Sequence, residues 1–120
     1  LTEPVRAANP ARHREQEHIM SVSHEYDRER DCLTIRLEES FDFAVHKAFR
    51  EAYAQLDAQP RTYVIDTSGT ERIDSSALGM LMLLCERARS HQAAIHVVNC
   101  SPALRNILRV SGFDKQMTVN

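Results

Sequence analysis

The sequence predicts one α/β domain built on a mixed sheet with flanking helices. Three observations carry that expectation. Leu33, Ile35 and Leu37 alternate with Thr34 and Arg36, the period-two mark of a strand with one buried face. Val45, Ala48, Phe49, Ala52, Tyr53 and Leu56 recur at helical spacing. From there strand and helix patterns alternate along the chain, an order that implies parallel pairing through right-handed crossovers. At 120 residues there is chain enough for a single core without staples.

Residues 1–20 differ from the rest. Pro4 and Pro10 interrupt any early helix, and Arg12 to His18 is almost wholly charged or polar, so this stretch is expected to be a flexible arm. The patterned sequence starts just after Met20; the expectation is either that Met20 is the true start or that the arm is foreign to the natural chain, with the domain over 21–120. Ser21 to Tyr26 and Cys32 to Leu37 read as strands around the polar turn Asp27 to Asp31, a hairpin that makes the sheet mixed. Phe43 to Leu56 reads as an amphipathic helix with Asp42 as N-cap, and Pro60 ends that segment. Tyr63 to Ile65 reads as a compact buried strand entering a loop, Asp66 to Arg72. Ser75 to about Ser90 is the central helix and Ile95 to Val98 the next strand. Ser101 caps a helix with Pro102 at its first position, running to about Ser111, where Gly112 stops it. A short strand near Met117 to Val119 finishes the domain. No internal repeat is present.

Composition narrows the function. Hydrophobic residues make 42% and charged ones 27%, ordinary for a globular domain. A net charge of −2 gives no general attraction for nucleic acid or acidic membranes. No apolar run reaches the roughly eighteen residues of a membrane span, and Leu1 to Met20 lacks the apolar stretch of a signal peptide. Cys32, Cys85 and Cys100 are odd in number and widely spaced in apolar patterns, so buried reduced thiols in a cytoplasmic protein are expected. His13, His18 and His24 lie in polar sequence, and His96 reads as a strand-face residue. No metal-ligand spacing is present and no cofactor motif, so neither is expected.

The most informative segment is Ile73-Asp74-Ser75-Ser76-Ala77-Leu78-Gly79-Met80-Leu81. Asp and Ser cap helix starts because their side-chain oxygens accept backbone N–H groups that lack helical partners. The segment thus exposes a hydroxyl at the positive end of a helix, a favourable place for added negative charge. At one hundred degrees per residue, Leu78, Leu81, Met82, Cys85 and Ala88 form one stripe, expected to pack on the sheet. Ser76, Met80, Leu83, Leu84 and Arg87 fall largely on the other side. Either Met80, Leu83 and Leu84 form a partner surface beside the serines, or another helix of the same domain covers them.

These residues carry a resemblance to the STAS domain of bacterial anti-sigma-factor antagonists. The match comprises Phe41-Asp42, Val64-Ile65-Asp66, the Ile73-to-Gly79 string, Val98-Asn99, Ser101-Pro102 and Ser111-Gly112-Phe113, and it spans roughly Ser21 to Val119. The Asn-Cys-Ser-Pro and Phe-Asp-Phe segments resemble most the stand-alone, partner-switching antagonists of proteobacteria. The resemblance implies a single STAS domain with a phosphoserine at the N-terminus of its central helix. It implies a non-enzymatic regulator that binds an anti-sigma factor, a serine kinase of the histidine-kinase-like ATPase type. Phosphorylation by that kinase releases it, and a PP2C-type phosphatase restores it. By position the phosphoacceptor is Ser75, with Asp42, Asp74, Ser76, Met80, Leu83 and Leu84 at the partner surface. The sequence departs from the family pattern at Glu38-Glu39-Ser40, where a glycine is common, and at Ala77, where glycine is commoner.

Two other classes compete. STAS subunits also serve as accessory parts of ABC-type lipid transporters, binding the ATPase. An enzyme using Ser75 as nucleophile needs a base and an oxyanion site. No Gly-x-Ser-x-Gly elbow is present, and the sequence does not bring His91 or His96 to Ser75.

Overall fold

The computed structural model describes residues 22–120. The expectations about the arm, Met20, His13 and His18 lie outside the described residues. Five strands form one sheet in the order β1-β2-β3-β4-β5: β1 (Val22–Asp27), β2 (Cys32–Phe41), β3 (Thr62–Ile73), β4 (Ala94–Val98) and β5 (Thr118–Val119). The first pair is antiparallel and the other three parallel. Connecting the parallel strands are α1 (His46–Ala54), α2 (Ser75–Ser90) and α3 (Pro102–Val110).

The alternation in β2 does what period two requires. Leu33, Ile35 and Leu37 are buried, and the residues between them are not. Parallel register extends these positions into rows. Leu33 pairs with Tyr63 and Tyr63 with Ile95; Ile35 pairs with Ile65 and Ile65 with Val97. These six side chains and Leu37 are buried in one cluster with Phe49 and Tyr53 of α1, Leu81 and Leu84 of α2, and Leu104 and Leu108 of α3. The core is thus one sheet face covered by three helices.

Three expectations need correcting. The segment from Asp66 to Arg72 is not a loop but the second half of a twelve-residue strand. Its polar composition hides the pattern, because its buried positions are threonines. Thr67 donates its hydroxyl to the Val98 carbonyl at 2.9 Å, and Thr70 donates to the Leu37 carbonyl at 3.1 Å. A buried hydroxyl with such a partner escapes most of its desolvation penalty. On the opposite face burial works against the charge of Asp66. Hydrogen bonds from Asn99 and Ser68, with Arg36 nearby, nevertheless hold its carboxyl below the usual range.

The first long helix is shorter than its pattern. Phe43–Val45 is a 3-10 turn, in which Val45 N–H donates to the Asp42 carbonyl at 3.1 Å, and α1 starts only at His46. Asp42 does cap, through an acceptor bond from Ala44 N–H at 3.0 Å.

The face of α2 is the third correction. Met80 and Leu84, expected at a partner surface, are 3% and 0% exposed, whereas Met82, expected on the sheet, is 48% exposed. The buried positions are Ala77, Met80, Leu81, Leu84, Cys85 and Ala88. The physical reason is a neighbour: α1 packs against the flank that carries Met80, Leu84 and Arg87, with the Arg87 guanidinium 5.5 Å from the Tyr53 ring centroid. Leu83 alone of the expected trio is on the surface, at 51% exposure.

Glu39 takes φ of 59°, beside two register shifts between β2 and β3. This is the bend where a glycine is common in the resembling family. An L-residue in that left-handed region costs about 1–2 kcal/mol, so Glu39 makes the bend at the expense of local strain.

The assignment of faces on α2 is testable with two neighbours. Leu84→Ala should lower unfolding free energy by about 2–5 kcal/mol, while Leu83→Ala should stay within about 0.5 kcal/mol of the parent. Urea denaturation of both variants checks this; equal effects would contradict the assignment.

Candidate functional site

The site is built by register. Phe41, the last residue of β2, pairs with Ile73, the last of β3. Parallel strands that end level deliver their next residues side by side, here Asp42 and Asp74. Asp74 N–H donates to the Phe41 carbonyl at 3.3 Å, and the Phe43 backbone N–H faces the Asp74 carboxylate. Each aspartate caps the helical turn that follows it. Asp74 accepts from Ala77 N–H at 3.1 Å and from the Ser76 hydroxyl at 2.6 Å.

This arrangement separates the two serines. Ser76 is half-buried with its hydroxyl committed to Asp74, whereas Ser75, the first residue of α2, is exposed. The Ser76 bond and the facing Ala77, Ser76 and Phe43 N–H groups hold the Asp74 carboxyl below its ordinary range. Ser75 therefore sits beside an ionised carboxylate, with Asp42 on the adjoining turn, at the positive end of a sixteen-residue helix.

Apolar side chains surround this polar end. Phe43 is 71% exposed and stacks on His46, ring centroids 5.6 Å apart. One and two turns along α2 on the Ser75 side stand Gly79, then Met82 and Leu83, all exposed. A Cβ built on Gly79 would meet nothing within 4 Å, and its φ is not in the left-handed region, so no contact within the described fold requires a glycine there. Past Ile73, a groove of about 320 Å³ separates the end of β3 from α3, with Ala103, Leu104 and the partly exposed Ile107 along it.

The structure thus brings together Asp42, Asp74, Ser75 and Ser76, and leaves Leu83 on the same side of α2; Met80 and Leu84 belong to the core. Sequence reasoning missed Phe43, Gly79, Met82 and Ile107 as surface residues here. One signal was available, a glycine inside an apolar helical run, where it costs about 1 kcal/mol relative to alanine.

The histidines considered as bases lie elsewhere. His91 follows the far end of α2, about 24 Å from Ser75 at 1.5 Å per residue, with Nε2 at 3.2 Å from both the Pro60 carbonyl and the Tyr63 hydroxyl. His96 lies within β4. Cys85 and Cys100 are buried as expected, but Cys32 is only half-buried; all three are unbridged. Among the described residues no group of three His, Cys, Asp or Glu could hold a metal ion, and no helix is long and apolar enough to cross a membrane.

Comparison with known proteins places this geometry. A family model described as "Mlab, STAS domain" matches residues 24–119. A STAS-domain containing protein of Pseudomonas aeruginosa (strain UCBPP-PA14) is 43% identical over 88 residues, which cover 73% of this chain and 87% of that protein. Among solved structures, the anti-sigma factor antagonist SpoIIAA in its unphosphorylated form superposes with a TM-score of 0.66 at 17% identity, covering 82% of this chain and 86% of that one. A sulfate transporter family protein from Wolinella succinogenes gives 0.65 at 14% identity, covering 73% and 76%. At these identities the two structures share the fold.

The Asp74 carboxylate makes stability at this end of the molecule depend on pH. Its folded pKa is lowered, so its contribution is present above the unfolded value of about 3.9 and is lost as pH falls through the folded value. Asn also caps helices, so Asp74→Asn should fold, with lower stability than the parent at neutral pH. The difference between the two should shrink below about pH 4. Unfolding midpoints from pH 2 to pH 7 check this; a gap that does not change with pH would contradict the role of the charge.

Proposed function

This chain belongs to the STAS-domain family, and from that premise we propose that it is an anti-sigma-factor antagonist switched by phosphorylation of Ser75. Unphosphorylated, it binds an anti-sigma factor that is a serine kinase of the histidine-kinase-like ATPase type. That kinase phosphorylates Ser75 and so releases it, and a PP2C-type phosphatase reverses the step. The chain itself is a binding protein rather than an enzyme.

The observation that carries the reading is the level ending of β2 and β3. It sets an exposed serine beside two capping aspartates, within a rim of exposed Phe43, Met82 and Leu83. Such a rim fits a partner surface. A phosphoryl group adds about −1.5 to −2 charges at pH 7. The α2 terminus favours that charge by at most ~2 kcal/mol, so the fold tolerates it. A partner that has closed over Asp42, Asp74 and a neutral hydroxyl would instead face an unpaired dianion next to two carboxylates. Burying such a charge costs several kcal/mol, more than the helix returns. Phosphorylation in this reading acts on the interface and leaves the core as it is.

Gly79 belongs to the same surface. It lowers helix stability with no steric need inside the described fold, and a partner packed directly on the helix backbone supplies the missing reason. A second reading keeps the fold and drops the switch: a STAS accessory subunit of an ABC-type lipid transporter, bound to its ATPase. A sulfate transporter family protein shares the fold, so the same architecture also occurs in transport proteins.

Phosphopeptide mass spectrometry of the protein from its native cells tests the proposal directly. Phosphate on Ser75 is expected; unmodified protein that co-purifies with a transporter ATPase would favour the second reading. Ser75→Ala should retain the kinase on affinity capture, and Ser75→Asp should fold normally yet lose it. Equal capture by both would refute the charge mechanism. Gly79→Ala should raise unfolding free energy by about 0.5–1 kcal/mol and reduce capture of the same partner. Stabilisation with undiminished capture would remove Gly79 from the interface.

A further inference from the structure

We propose that the hollow at the far end of α2 binds a small organic anion: a phosphate ester or carboxylate carrying a compact apolar body. The hollow measures about 380 Å³ and lies between the last turns of α2 and the 3-10 turn Phe113–Lys115. That volume is within the range of small-molecule sites, about 300–1,000 Å³. Its α2 lining, Cys85, Ala88 and Arg89, lies about 15–21 Å along the helix from Ser75, so the inference does not depend on the phosphorylation reading.

Charge and shape both point to such a ligand. Arg89 and Lys115 line the hollow, and neither forms an ion pair among the described residues. Arg89 Nη2 donates to Gln116 Oε1 at 2.7 Å. A neutral acceptor fixes the guanidinium without cancelling its charge, and its remaining N–H donors keep the fork geometry that matches carboxylate and phosphate oxygens. No lining residue is acidic; Glu86 and Asp114, the nearest acids in sequence, are exposed and lie outside the lining.

The floor is apolar, made by Cys85, Ala88 and Ile95, all buried. Burial pushes the Cys85 thiol up, so it stays neutral and adds no negative charge. Two effects oppose an anion: the negative end of the α2 dipole, equivalent to about half a charge, and the exposed Glu86 carboxylate, whose charge is felt at Cys85 on the floor and is offset there by Arg89. The last carbonyls of α2 are already engaged: Ala88 accepts from His91 and Ala93 N–H, and Arg89 accepts from Gln92 N–H. Two full cations outweigh what is left. The apolar floor then favours a ligand with a carbon body over a bare inorganic ion.

Titration of the isotopically labelled full chain, followed by amide NMR shifts, tests the proposal with four probes: phenyl phosphate, benzoate, inorganic phosphate and benzyl alcohol. Saturable shifts confined to 85–96 and 113–117 are expected with phenyl phosphate, benzoate or both, and which of them binds identifies the anionic group. Inorganic phosphate and benzyl alcohol should bind more weakly. Arg89→Gln and Lys115→Gln replace exposed side chains, so unchanged melting temperatures are expected. Each should weaken binding about ten-fold or more, the size of a lost charge-assisted hydrogen bond. Shifts that do not saturate, affinity indifferent to both substitutions, or benzyl alcohol binding as tightly as the anions would overturn the proposal. Inorganic phosphate binding as tightly as phenyl phosphate would overturn its apolar part.

Discussion

The parallel pairing of β2 with β3 is the interaction on which the rest depends. It sets Leu33 against Tyr63 and Ile35 against Ile65, which begins the two buried rows of the core. The same register, carried past two irregularities, ends with Phe41 opposite Ile73. A slip of one residue would turn every buried side chain of β2 to the wrong face, and it would also part Asp42 from Asp74. Core and surface site are therefore fixed by one hydrogen-bonded ladder. The buried Thr70 hydroxyl, bonded to the Leu37 carbonyl, ties that ladder where its register shifts.

Around this frame the exposed residues near Ser75 make poor sense as contributors to stability. Glu39 occupies a left-handed conformation, Gly79 interrupts a helix with nothing to pack against, and Phe43, Met82 and Leu83 leave apolar surface in water. Each runs against what a fold optimised only for itself would choose. The last four lie around the exposed hydroxyl that follows β3. Local choices that conflict with stability gather at surfaces selected for something else, and here that surface is the proposed partner face. The far end of α2 is different in kind: its cations and amides surround a hollow rather than a raised apolar rim.

Helix starts and strand faces were legible in the sequence because they depend on local chemistry. Asp42, Asp74 and Ser101 all cap through their side chains, as their positions predict. Pro102 starts α3, and Gly112, with φ of 84°, follows it in the left-handed conformation. The alternation of Leu33, Ile35 and Leu37 named the buried face of β2. The second half of β3 was not legible, because threonine reads as polar until a carbonyl is found to satisfy it, and Val98 and Leu37 are distant in sequence.

By itself, the sequence determined the element order, the mixed sheet, the caps and the position of Ser75 at the start of α2. These follow from side chains acting on their own backbone within a few residues. Only the tertiary structure decided which apolar residues of α2 are core. The helical wheel separates Met80 and Leu84 from Met82 and Cys85, but it carries no record of what stands beside the helix. That neighbour is α1, which sets Tyr53 beside Arg87 on the flank of α2 that also carries Met80 and Leu84; those two are buried, and Leu83 and Met82 are left in water. Tertiary structure alone also placed Asp42 next to Asp74, since thirty-two positions of chain separate them and a parallel ladder brings their strands to an end together.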